Sequence, residues 1–304
     1  MTAEKKEHEE ESEVYLENIH SLCLHTPSTL GEDREHLQIG SLRSYLNCLI
    51  KWIGQQLSSS TTFNMRYSWR LPRELYPYEV KECGSSSSTE CARLELPMRI
   101  LDDLALCRMR VKLRAEAVMQ TGLTPAEAHG KKAWSELQKK LKNIVEMSIK
   151  KEGGKALYHY LEKSVVLSAN GRNNAGMWNL VLRGRVDLAT LATLKGSMLT
   201  ILFEFTEYRG APKVTRDRLL AYASAIYGEI GFPVIPVLVI TKDSINVDSA
   251  YVLISRSFYP GIQLKKAVNR LIRTIFGSEE FNAPSKELCA FCDPSLRRLC
   301  PYYS

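Results

Sequence analysis

Hydrophobic residues recur every three to four positions in "IGSLRSYLNCLIKWIGQQL", where Ile39, Leu42, Leu46, Leu49, Ile50 and Ile53 form one apolar stripe. That period is helical, and it sets Cys48 beside the buried side. The helical pattern covers Val14 to about Leu57. Residues 58 to about 96 break it: "SSSTT", "LPRELYPYE" and "CGSSSSTE" are rich in turn formers and hold no steady period, which predicts a loop-rich insertion. Helical spacing resumes from Pro97 to about Met119. The next helix has its start written in "TPAE", with Thr124 to cap free amides, Pro125 to fit the first turn and Glu127 to complete a capping box. Trp134, Leu137, Leu141, Ile144 and Val145 make its apolar stripe, and His129 lies on or next to that line.

Beyond Gly153 and Gly154 the period becomes that of strands: "NLVLRGRVDLATLA", "LTILFEFTEY", "PVIPVLVIT" and "SAYVLISRSF". A helix, "VTRDRLLAYASAIYGEIG", sits between the second and third. The last helix, Gly261 to about Phe276, sets Leu264, Val268, Leu271, Ile272 and Ile275 against Lys265, Lys266, Arg270 and Arg273. This order predicts an α/β fold with a mixed sheet and one crossover helix. The chain divides into a charged leader, 1–13, a helical part, 14–121, an α/β core, 122–276, and a cysteine-bearing tail, 277–304.

Within the strands, "FEFTEYRG" places Glu204 where an apolar residue belongs. On an alternating strand Leu202, Glu204 and Thr206 share one face. A carboxylate buried alone is costly, so Glu204 needs a cation. Asp187, closing "GRVD", and the inward His129 would complete a set suited to Mg²⁺ or Mn²⁺. Each of the three alone reads equally as a paired or capped polar group; their order along the chain points to metal chemistry.

Composition narrows the field. The 304 residues are 44% hydrophobic and 25% charged, and no apolar run approaches the ~20 residues that span a bilayer. The charged N-terminal run has no apolar segment of a secretory signal, which predicts a cytoplasmic protein. A net charge of +7 permits phosphate contacts without requiring them. Eight cysteines in such a chain point to metal or redox chemistry. Three of them form Cys289-x2-Cys292-x7-Cys300 followed by Pro301, a spacing that wraps one side of a metal centre and calls for a fourth ligand. Cys48 is the favoured fourth, Cys83 and Cys91 are second choices, and Cys23 and Cys107 read as core residues. Spacing alone does not separate zinc from iron.

Taken together, these residues resemble the RecB-like nucleases of the PD-(D/E)xK fold that carry an iron-sulfur cluster, and most of all the CRISPR adaptation nucleases in their longer archaeal form. Tyr45, Cys48 and Lys51 match a "Y-x2-C-x2-K" helix, Gly184 to Asp187 a "G-x-x-D" strand, and Glu204 the acidic residue of the next strand. Thr206 stands where the family has lysine, and Arg218 with Tyr222 where it has "Q-x3-Y". The tail matches the three-cysteine motif. The resemblance implies a restriction-endonuclease-like core in which His129, Asp187, Glu204 and the carbonyl of Phe205 hold Mg²⁺ or Mn²⁺. Arg218 and Tyr222 would lie beside them, and Cys48, Cys289, Cys292 and Cys300 would hold a [4Fe-4S] cluster. It also implies single-stranded or overhanging DNA as substrate, a CRISPR integrase complex as partner, and a possible homo-oligomer. With Thr206 in the lysine position, Arg209, Lys213 or Arg218 would have to supply the missing charge. The alternatives are a DNA-binding scaffold that has lost the chemistry and a repair exonuclease.

Overall fold

The computed structural model describes residues 14–24, 42–59, 62–69, 91–121, 133–173, 176–207, 211–241, 247–255, 261–277, 289, 292 and 294–303. The leader, the "TPAE" cap, His129 and Arg209 lie outside them. Strand β1 (Val14–Asn18) leads into helix α1 (Ile19–Leu24), followed by α2 (Leu42–Ser59) and a short α3 (Phe63–Arg66). Strand β2 (Cys91–Pro97) precedes α4 (Ile100–Leu106), α5 (Arg108–Thr121) and α6 (Ala133–Lys151). Three antiparallel strands come next, β3 (Lys155–Asn173), β4 (Gly176–Leu194) and β5 (Ser197–Thr206). The crossover helix α7 (Ala211–Ile230), β6 (Val234–Thr241), β7 (Val247–Ser255), α8 (Gly261–Phe276) and α9 (Pro294–Arg297) complete the order.

The sheet runs β1-β7-β6-β5-β4-β2, with β3 along the far edge of β4. Strand β6 is parallel to β5, as a helical crossover allows, while β3, β4 and β5 form a meander. One edge of β4 is shared: β5 pairs with Leu188–Leu194 and β2, in parallel, with Met177–Arg183. Residues 187 and 204 thus fall just past the last β4–β5 pair on this side, Leu188 with Phe203, where the strands diverge.

Local pattern explains most of this. Leu42, Leu46, Leu49, Ile50 and Ile53 are buried along α2, and Leu137, Leu141, Ile144 and Val145 along α6. Strand β6 is buried at every position, so it reads as a continuous apolar run rather than an alternation. Three expectations change. Val14–Asn18 is an edge strand on β7, too short for its period to show in the sequence. The supposed insertion supplies β2 and also Tyr67 and Trp69, which dock on β6 through Val234 N–H to the Tyr67 carbonyl, 2.9 Å, and the Trp69 indole to the Val234 carbonyl. Strand β3 is an edge strand whose outward residues, among them Leu157, Tyr158, Leu161 and Val166, are exposed, and the mixed pattern hid it. Among the described residues no helix is long and apolar enough to cross a membrane.

Candidate metal and thiol site

Glu204 is 5% exposed on β5, and the strand carries it because α7 lays a cation over it. Arg218 Nη1 lies 3.4 Å from Glu204 Oε1, and Arg218 Nε lies 3.3 Å from Oδ2 of Asp102 on α4. Burial pulls the Arg218 pKa down, but Asp102 and Glu204 outweigh it and the group stays protonated. Asp187, on β4, turns Oδ2 to the backbone N–H of Phe205 at 2.8 Å, while its own carbonyl accepts from Gln138 Nε2 of α6 at 3.0 Å. Burial pushes the Asp187 carboxyl up to about 6, against the Phe205 amide and Arg218. The Asp102 carboxyl also rises to about 6 through burial, against Arg218 and Arg99. Three carboxylates therefore crowd one guanidinium, a local charge that favours either protonation or a bound cation.

The "G-x-x-D" spacing has a steric meaning as well. A Cβ on Gly184 would stand 2.5 Å from Cε1 and 2.9 Å from the hydroxyl of Tyr222, so only glycine lets α7 come this close to β4. Tyr222 is buried there, with the Arg218 guanidinium 5.9 Å from its ring centre. The resemblance grouped Asp187, Glu204, Phe205, Arg218 and Tyr222; in the structure Asp187 meets the Phe205 amide, Glu204 meets Arg218, and Arg218 lies over the Tyr222 ring. Of the two described cations that could replace the absent lysine, Lys213 is exposed and Arg218 reaches the carboxylates.

The thiols are assembled differently from the expectation. Cys289, Cys292 and Cys300 line a cavity of about 330 Å³ together with Cys107, and all four are half-buried and outside any disulfide. Cys107 is an extended residue, φ −157 and ψ 111, that breaks α4 from α5, which takes it off the apolar stripe that suggested a core role. Cys48 is disulfide-bonded, and its sulfur lies 3.9 Å from the Ile19 carbonyl oxygen between α1 and α2. It does not line the cavity, so Cys107 replaces it as the fourth thiol beside the tail. The tail is folded on itself: Cys292 N–H bonds to the Cys289 carbonyl at 3.1 Å, Cys300 N–H to Arg297 at 3.1 Å, and Arg297 Nε to the Cys292 carbonyl at 2.7 Å. Arg99, Arg110 and Arg297 share the cavity wall and would offset thiolate charge. Four thiols are the donor type of a tetrahedral zinc or iron-sulfur centre, but here they line a cavity wall rather than converge on one point. Among the described residues no three His, Cys, Asp or Glu side chains are grouped closely enough to hold a metal as they stand.

Thr206, Arg218 and Asp102 line the same cavity, so the thiols share a wall with the Arg218–Asp102 pair. Comparison with protein-family models, with curated proteins and with solved structures returns no match. Neither Cys107 nor Asp102 was picked out from sequence. The available signals were the acidic pair opening "ILDDLAL" and the change from apolar to basic at "LALCRMRVKLR".

Proposed function

We propose that the chain is a metal-dependent DNA nuclease with a four-thiolate cluster, acting on single-stranded or overhanging DNA. The observation that supports this reading is that Asp187 and Glu204 both act on the buried Arg218 guanidinium at the point where β4 and β5 part. The meander, crossover helix and parallel strand are compatible with a restriction-endonuclease-like core. A divalent cation held by Asp187 and Glu204 would polarise a scissile phosphate and make its water nucleophilic near neutral pH. The Phe205 amide fixes the Asp187 carboxylate through Oδ2, so Oδ1 would be the oxygen available to a metal. Arg218 supplies, from α7, the positive charge that Thr206 does not, and its place between Glu204 and Asp102 holds it at the reacting end of β5. Cys107, Cys289, Cys292 and Cys300 would hold the cluster, a structural clip between the α4–α5 corner and the tail. Spacer processing with a CRISPR integrase complex rests on the resemblance alone.

The test is purified protein with Mn²⁺ on labelled single-stranded and overhanging DNA, compared with Asp187→Ala. Cleavage by the wild type and its loss in the variant are expected; cleavage at the wild-type rate by the variant rejects the site. A second reading, a DNA-binding scaffold, is favoured by the Arg218–Glu204 pair, which puts a guanidinium against the carboxylate a metal would use. Under that reading DNA binds and stays intact with every divalent cation.

A further inference from the structure

Helix α8 presents Lys266, Asn269, Arg270 and Arg273 at spacings of three and four, and with Arg108 from the first turn of α5 they line a second cavity of about 330 Å³. The opposite stripe, Leu264, Val268, Leu271 and Ile275, is buried in the core, so the basic face has its orientation fixed. Four cations from two helices converge on one cavity. Arg270 Nη2 binds Asp217 Oδ2 at 3.1 Å, and that carboxylate is shared with Arg216 Nε at 3.2 Å, so it answers little of the charge. Arg270 Nε is buried without a hydrogen-bond partner among the described residues. Like charges held together repel, and a buried N–H without an acceptor is costly, so the cavity is built for an anion.

We infer that this cavity binds a backbone phosphate of a nucleic-acid strand. The choice of a polymer over a small anion comes from what lies next to the cavity. Arg108 is one residue from Cys107 and two from Arg110, both of which line the thiol cavity; Asp103 answers Arg110 there at 2.8 Å and Asp102 answers Arg218 at 3.3 Å, while Arg99 and Arg297 add further positive charge to the same wall. A ligand with phosphates in series can sit in the α8 cavity and run on past Arg108 along the neighbouring rim; a single phosphate fills the α8 cavity alone. This rests on the nucleic-acid reading above and names where the strand is held outside the carboxylate site.

The experiment separates binding from cleavage by working in EDTA. Fluorescence anisotropy of a labelled single-stranded oligonucleotide is measured over a salt series for the wild type, Lys266→Ala/Arg273→Ala, and Arg108→Gln. A control of equal charge, Lys139→Ala/Lys140→Ala, removes two exposed lysines of α6. The pocket double variant is expected to lose about tenfold or more in affinity and to flatten the slope of log K against log salt by about 0.7 per lost phosphate contact. Arg108→Gln follows in the same direction and the control stays at wild type. Unchanged binding in the pocket variants, or equal loss in the control, overturns the inference. Inorganic phosphate that displaces the oligonucleotide at equal concentration assigns the cavity to a small anion and overturns it also. Absence of DNA cleavage leaves these binding outcomes unaffected and bears only on the nuclease reading.

Discussion

Arg218 holds Glu204 across the gap between α7 and β5, Nη1 to Oε1 at 3.4 Å, and reaches Asp102 of α4 with the same guanidinium. One side chain thus joins three elements at the end of the sheet. If it also serves the chemistry in place of the lysine absent at Thr206, Arg218→Gln lowers single-turnover cleavage by about 10²–10³-fold. Arg218→Lys recovers part of the rate. Breaking a buried pair from one side also costs on the order of 3–5 kcal/mol, so melting is followed in parallel, and Mn²⁺ should stabilise Arg218→Gln more than wild type.

If the proposed cluster is bound, the thiol cavity predicts which cysteines would hold it. Cys107→Ser, like Cys289→Ser, is expected to lose the broad visible absorbance and most of the bound iron of anaerobically purified protein. Cys48→Ser should keep both. Metal analysis of the four proteins checks this, and a colourless wild type with stoichiometric zinc would replace iron by zinc in the same four-thiolate site.

Raised carboxyl pKa values give a signed pH dependence. Asp102 and Asp187 sit near 6, above the ordinary value of 3.8, so the fold favours their protonated forms. Their contribution to stability is complete below about pH 4 and is lost as the pH rises through about 6. Without divalent ions, stability measured in denaturant should therefore fall across that window, and Asp187→Asn should flatten the fall. Added Mn²⁺ should raise the melting temperature more at pH 7.5 than at pH 5, because protons compete for the same oxygens.

How far the sequence foretold this site depends on how local each signal was. Glu204 stood out because a carboxylate inside an apolar strand breaks a local pattern, and Asp187 because it closes "GRVD". Cys107 was not, because an isolated cysteine between two helical stretches looks apolar until the extended residue between α4 and α5 is known. Cys48 misled for the opposite reason: a good stripe showed that it was near the core, and nothing in the stripe tells which core neighbour it meets. Strand β3 escaped because an edge strand with exposed apolar residues carries no clean period, whereas α8, with one buried and one basic face, was read to its ends.

Gly184 offers a steric test of the contact between β4 and α7. Gly184→Ala forces the Tyr222 ring aside and should destabilise by about 1–3 kcal/mol. Tyr222→Ala in the same chain should remove that added cost, and a double-mutant cycle in denaturant measures the coupling.

The Tyr67 hydroxyl is buried with no hydrogen-bond partner among the described residues, and burial raises its pKa. Tyr67→Phe should therefore leave stability equal or raise it, by about 1 kcal/mol, in denaturant melts.

Helix α4 begins one residue past Arg99 and ends at Leu106, with Asp102 near its start and Cys107 just beyond its end. Five residues of helix make a rod of about 7.5 Å, and a rod does not shorten when one end is pulled. The spacing between the thiol corner and the Asp102–Arg218 pair is therefore a fixed length, and a displacement of Cys107 would move the carboxylate end by the same stroke. If the four thiols hold a metal, one seven-residue helix would be the gauge by which the far carboxylate end registers its loss.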